Sequence, residues 1–152
     1  MDRRTLLALS GAALICESTA ALAQTEVMPG VNSASVIRIT ATPDGGSRFE
    51  FITISPDAKP IPVTSMTASA YAGSGVTAPD WHTAPRKQFA INMSGALEVE
   101  VTDGTRQRIE SDLVFLDDLT GKGHITRALG PVTNVFIHVP EDFDVVAWAA
   151  GR

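Results

Sequence analysis

Cysteine is nearly absent from this chain of 152 residues, which contains only one. A single cysteine excludes an intramolecular disulfide, and it excludes a cysteine-built zinc site because such sites need several converging ligands. Positive charge is also scarce, since 12 Lys and Arg stand against 17 Asp and Glu and give a formal net charge of -5. A surface that binds a phosphate backbone needs the opposite sign, so we expect no nucleic-acid partner.

Long apolar runs are missing as well. The apolar stretch at residues 5–16 has about a dozen residues, too few to span a bilayer, so we expect no membrane span. It follows Arg3 and Arg4 and precedes the small-x-small sequence Ala21-Leu22-Ala23, and together these features predict an export signal over residues 1–23. The paired arginines also resemble a twin-arginine signal, and both this pathway and the general export route fit. We therefore expect a bacterial protein that is periplasmic or secreted.

Residues 24–152 are predicted to form one domain, long enough to bury a core without disulfides. This segment lacks a sustained helical period. Its short β-branched or alternating runs, separated by turn residues, predict an all-β sandwich or barrel instead. A loop is predicted at Gly73-Ser74-Gly75. The predicted strands lie at residues 36–39, 49–54, 66–71, 97–101, 106–109, 113–116 and 132–139, with a last strand over 143–148.

The clearest hairpin is predicted around Asp103-Gly104, a dipeptide that suits a tight turn between two strands. Residues 97–101 before it alternate apolar and acidic side chains, which is typical of a half-buried strand. The return strand sets Arg106 and Arg108 opposite the glutamates, and we expect these charges to form a solvated face.

Imidazole side chains are few, and the chain has three of them: His82, His124 and His138. His138 lies inside an apolar strand, where a histidine is more often hydrogen-bonded or exposed than a ligand. His82 and His124 lie in segments rich in turn residues. They are the stronger candidates for chemistry.

The spacing around His82 resembles the first motif of the cupin family, which consists of small β-barrels. That motif reads His-x-His, three or four residues, Glu, six residues, Gly. Here the sequence has His82, then Ala84 in the place of the second His, Gln88 in the place of the Glu, and Gly95 six residues later. The resemblance therefore implies metal-ligand positions at His82 and Gln88, and Ala84 leaves a third position without a ligand side chain.

The second cupin motif has a counterpart further along the chain. His124 takes the place of its final His, while Glu110-Ser111-Asp112 replaces the usual Pro-x-Gly turn ahead of the strand at 113–116. The likeness covers about residues 71–139. It implies an antiparallel β-barrel of the cupin type, a double-stranded β-helix or jelly roll, and pairing into a homodimer.

A metal site follows from the resemblance and from the chemistry of the residues. His82 and Gln88 are six residues apart, so on one extended strand their side chains point to the same face. Two imidazoles and an amide oxygen suit Mn, Fe, Ni or Zn, with positions open for a small organic molecule. Arg86 shares the parity of both residues and is either a pocket group for a carboxylate-bearing substrate or part of the solvated rim.

These residues admit two classes of function. In the first, the protein is a metal-dependent enzyme that acts on a small organic molecule, with the lyase, isomerase and oxygenase classes all open. In the second, it is a binding or sensing module without turnover, with or without a metal. There His82 and His124 would hydrogen-bond the ligand directly, and a metal-free pocket could also use them as acid and base.

Overall fold

A computed structural model describes residues 34–152, with residues 74–79 described in their backbone only. The predicted export signal at residues 1–23 and the predicted start of the domain at residue 24 lie outside the described residues. Within them, no helix has the length and apolar character needed to cross a membrane. The elements, in chain order, are β1 (Ser35–Ala41), β2 (Ser47–Thr53), β3 (Ser65–Tyr71), β4 (Ser74–His82), β5 (Gln88–Ser94), β6 (Leu97–Glu100), β7 (Arg106–Ile109), β8 (Leu113–Asp117), β9 (His124–Leu129), β10 (Val132–His138) and α1 (Val145–Ala149).

The strands form two sheets. One has six strands in the order β2-β1-β8-β5-β10-β3, and the other has four in the order β4-β9-β6-β7. The strand pairs are antiparallel except for β1 and β8, which run parallel. The predicted all-β class is confirmed, and the single parallel pair is an addition to the antiparallel arrangement that we expected.

The main core lies between the two sheets. Ile37 and Ile39 from the larger sheet belong to the same buried cluster as Leu97 and Val99 from the smaller one. These residues occur at every second position of their strands, so the period-2 pattern in the sequence directs one face of each sheet inward. The apolar area removed from water there is the main source of stability.

A second cluster covers the outer face of the larger sheet, where Phe89 and Phe115 are fully buried with ring centroids 4.8 Å apart. The C-terminal segment supplies its cover through Trp148, whose ring centroid lies 5.5 Å from that of Phe89. The predicted strand at residues 143–148 is wrong, since this segment contains helix α1. Asp144 caps the helix by accepting hydrogen bonds from two backbone N–H groups of its first turn.

Two other predictions have different outcomes. The loop expected at Gly73-Ser74-Gly75 is wrong from its second residue onward, because β4 begins at Ser74 and continues to His82. The hairpin is confirmed: β6 and β7 pair with Glu100 opposite Arg106, and their side chains form an ion pair at 3.2 Å. Arg127 of β9 adds a second cation at 2.6 Å from Glu100.

Candidate functional site

A cavity of about 370 Å³ lies between the two sheets. Four residues singled out from the sequence line it: His82, Arg86, Gln88 and His124. Most of the other lining side chains are apolar and come from both sheets. A cavity of this size accommodates one small organic molecule.

The two imidazoles of His82 and His124 come together because their strands pair. β4 and β9 run antiparallel, and the two residues stand directly opposite each other in that ladder. Their ring centroids are 4.4 Å apart, with the planes tilted by 54°. This separation suits two imidazoles that share one ion or one ligand atom.

Gly123 permits this close approach. Its φ of +76° lies in the left-handed region that side chains disfavour, and a Cβ there would stand 1.9 Å from the backbone oxygen of His82. The glycine also lets the chain pass directly against the strand end that carries His82.

Hydrogen bonds assign the protonated nitrogen of both rings. His124 Nδ1 lies 2.6 Å from Oδ2 of Asp118, and His82 Nδ1 lies 3.2 Å from the backbone oxygen of Asp80. A carbonyl oxygen only accepts, and an ionised carboxylate only accepts, so each Nδ1 donates its proton outward. In both neutral rings Nε2 then keeps the lone pair, which is the atom that binds a metal or accepts a proton.

Asp118 is the group at this site that sequence analysis missed. Two adjacent aspartates such as Asp117-Asp118 are typical of a turn or a solvated charge pair, yet the side chain of Asp118 is fully buried. Its Oδ1 has no hydrogen-bond partner among the described residues. A buried carboxylate behind an imidazole fixes the ring's tautomer and raises its strength as a ligand. The sequence carries no signal for the contact beyond a spacing of six residues.

Gln88 reaches the cavity by a different route from the one we predicted. His82 ends β4 and Gln88 begins β5, so the two lie in different sheets and not on one extended strand. The parity argument is therefore wrong, although both residues line the cavity. Gln88 is 6% exposed. Ala84, in the position of the missing second motif histidine, lies on the connection between them and also lines the cavity.

Arg86 lies at the edge of the cavity. Its side chain is exposed, yet the residue belongs to the cavity wall. Both descriptions of Arg86 that the sequence left open, a pocket cation and a rim residue, therefore agree with its position. An exposed guanidinium beside an opening suits the capture of a carboxylate.

His138 also lines the cavity, which the apolar character of its strand did not indicate. It is 8% exposed, and its Nδ1 forms a hydrogen bond of 2.7 Å with Oγ of Ser65. In the larger sheet it stands directly opposite Gln88. The expectation of a hydrogen-bonded strand histidine agrees with this contact.

The donor set of the site is neutral and small. No three of the His, Cys, Asp and Glu side chains in residues 34–152 lie close enough together to hold a metal ion. The carboxamide of Gln88, which lines the same cavity, is the candidate for a third protein ligand to a metal between His82 and His124. Among the described residues, the carboxylate of Asp118 is the acidic side chain that contacts one of these imidazoles, through its hydrogen bond with Nδ1 of His124.

Comparison with known proteins gives a likeness in fold. No protein-family model and no curated protein matches the sequence. The structure is similar to that of protein NMB1881 from Neisseria meningitidis, with 15% identity and a TM-score of 0.40, over 68% of this chain and 82% of that one. It is also similar to a protein named for ethanolamine utilization, EutQ, from Salmonella typhimurium, with 12% identity and a TM-score of 0.37, over 72% and 98% of the two chains.

Proposed function

We propose that this cupin-like domain is a metal-dependent enzyme that acts on a small organic molecule bound in its cavity. His82, Gln88 and His124 hold a divalent ion, Mn, Fe, Ni or Zn, and leave positions open for the ligand. The observation that carries the proposal is the pair of opposed imidazoles, each with Nδ1 tied to a protein oxygen and Nε2 left free.

The residues present fit such an ion. Metal-binding histidines characteristically donate their other ring N–H to a carboxylate or a backbone carbonyl, and these two partners are the ones that His124 and His82 have. Gln88 is buried and lines the same cavity, and no side-chain hydrogen bond ties its carboxamide to the described residues. Two imidazoles and an amide oxygen match the preferences of borderline divalent metals.

Each residue has a separate task. When bound, the ion supplies a Lewis acid that polarises an oxygen of the ligand. Asp118 holds the ring of His124 in one tautomer and one orientation, so Nε2 of His124 is in place before the metal ion binds. Arg86 at the edge attracts the carboxylate of an acidic ligand. The apolar walls keep water away from the polar end of the cavity and strengthen every charge interaction there.

The cellular setting belongs to the same proposal. The predicted export signal at residues 1–23 implies a periplasmic or secreted protein in a bacterium, and a homodimer is the expected assembly. A metal-free binding or sensing module is the alternative that uses the same cavity. Metal content separates the two functions.

The test is elemental analysis of the full chain purified without chelator, followed by titration of the chelator-treated protein with Zn²⁺ and Mn²⁺. We expect close to one ion per chain in the unaltered protein. His82→Ala and His124→Ala should each lose it, because a single imidazole and an amide hold a divalent ion weakly. His138→Ala is the matched control, since it removes a histidine from the same cavity but not from the opposed pair.

Retention of the ion by His138→Ala, together with its loss in the other two variants, supports the proposed ligands. Circular dichroism of all three variants shows whether folding is intact. If the unaltered protein carries no metal as purified and takes up neither Zn²⁺ nor Mn²⁺, the proposed metal site is refuted and the binding module remains. Equal loss in all three variants would instead place the ion elsewhere.

A further inference from the structure

Asn134 lies at the end of the cavity away from His82 and His124, and its side-chain oxygen lacks a hydrogen bond to the described residues. The residue is 3% exposed and lines the cavity. Its Oδ1 has no hydrogen-bond partner in the described part of the chain. Leaving a buried acceptor unpaired is costly, so native proteins do so mainly where a ligand or water completes the bond.

The positions of the strands separate this end of the cavity from the metal-binding end. Asn134 stands opposite Asn92 on β5, and Asn92 is four residues beyond Gln88. At about 3.3 Å per residue, the two ends are about 13 Å apart along the strand. Between them on β5 and β10 lie the apolar residues Ala90 and Phe136, which stand opposite each other, while Thr67 on β3 adds a hydroxyl to the wall. Along β5 and β10 the cavity therefore has polar groups at both ends and apolar side chains between them.

One further group, the side chain of Asn92, also lines the Asn134 end of the cavity. Asn92 donates from Nδ2 to the backbone oxygen of Ile109 at 3.0 Å, which leaves its Oδ1 as an acceptor. Two amide oxygens complement a hydrogen-bond donor, and a hydroxyl is the smallest neutral side group that donates.

We infer that the ligand is an elongated molecule with an apolar middle, a metal-binding or carboxylate group at the His82–His124 end, and a hydroxyl at the other end that donates to Oδ1 of Asn134. This inference rests on the proposed function in placing a small organic molecule in the cavity. The hydroxyl recognition itself needs no metal. Asn134 is then a specificity-determining residue.

The test compares two probes of matched shape, para-hydroxyphenylacetate and para-tolylacetate, which differ by a hydroxyl in place of a methyl group. Binding is measured by calorimetry on the full chain, both metal-loaded and chelator-treated. We expect the hydroxylated probe to bind about tenfold tighter, a difference of about 1.4 kcal/mol. In Asn134→Leu, which is similar in volume but has no acceptor, the two affinities should agree within about twofold.

Two additional measurements separate recognition from a structural role. Without a probe, Asn134→Leu should raise the Tm by about 2–4 °C, because the variant no longer buries an unpaired acceptor. Asn134→Asp retains an acceptor, so it should keep the preference for the hydroxylated probe. A lower Tm for Asn134→Leu would show that a buried water satisfies Asn134, and the inference would then fail.

Equal affinity of the two probes for the unaltered protein also overturns the inference, as does the absence of binding by both at millimolar concentration. These outcomes do not depend on metal content. If the probes are discriminated in chelator-treated protein while no metal is ever bound, the hydroxyl recognition stands and the metal-dependent chemistry falls. If metal is bound but the two probes are not discriminated, the metal site stands and the hydroxyl recognition fails.

Discussion

His124 donates a hydrogen bond from Nδ1 to the carboxylate of Asp118 over 2.6 Å, and both side chains are almost completely buried. The carboxylate lies on the side of the ring away from the free Nε2, so it orients the imidazole without occupying its ligand position. A buried charge is costly unless it is paired, and Asp118 has this one side-chain partner among the described residues. The hydrogen bond therefore orients His124 in the site, and breaking it would lower the stability of the protein.

Asp118→Asn should weaken metal binding about 10- to 100-fold, because the carboxamide accepts the hydrogen bond without adding negative charge behind His124. The measurement is competition for Zn²⁺ against a fluorescent chelator. Asp142→Asn, at an exposed position, removes the same charge from the chain and should change the affinity less than twofold. An unchanged affinity in Asp118→Asn would show that His124 is not a ligand.

Gln88→Glu should bind the ion about tenfold more tightly at neutral pH, since a carboxylate adds negative charge to a neutral ligand set. In metal-free protein the same change should lower the stability, because it buries an unpaired charge. Gln107→Glu, the same substitution in β7, is the control and should alter neither property strongly. Loss of stability without tighter binding would argue against Gln88 as a ligand.

Gly123→Ala should destabilise the fold by about 2 kcal/mol or more and should abolish metal binding. A side chain at φ +76° is strained, and its Cβ would overlap the backbone oxygen of His82. Urea unfolding measures the first effect and metal titration the second. Gly130→Ala is the control, because a Cβ there meets no atom within 4 Å. Normal stability in Gly123→Ala would show that β4 and β9 tolerate wider spacing.

The cap of helix α1 should make stability depend on acid pH. Hydrogen bonds from the backbone N–H groups of Ala147 and Val146 hold the pKa of the Asp144 carboxyl below its ordinary value. The unfolded chain then binds the proton more readily, so the contribution is present above the ordinary carboxyl pKa and is lost as pH falls through the lowered folded value.

Asp144→Ala should accordingly cost about 0.5–1 kcal/mol at neutral pH, in the range of other helix caps, and progressively less in acid. Urea unfolding of both proteins across the acid range checks this. Asp144→Asn keeps an acceptor without the charge, so most of the stability at neutral pH should remain. A constant difference between Asp144→Ala and the unaltered protein at all pH values would refute the role of ionisation.

Local pattern was enough to predict much of the architecture. A β-branched run placed a strand near β1, an apolar run placed one near β10, and alternation placed one near β6. Asp103-Gly104 marked the hairpin, because composition, side-chain period and turn geometry are properties of neighbouring residues. The same reasoning from local pattern did not predict helix α1. Val145, Trp148 and Ala149 are buried at helical spacing, but five residues are too few to make that period evident.

The sequence alone determined the all-β class and which imidazoles and carboxamide are the candidate metal ligands, since residue type and spacing are local information. Tertiary structure alone decided that His82 stands opposite His124, that Gln88 reaches the cavity from the other sheet, that Asp118 is buried behind His124, and that Asn134 faces the same cavity. These relationships join residues far apart along the chain. They depend on sheet pairing, register and packing, none of which a local period encodes.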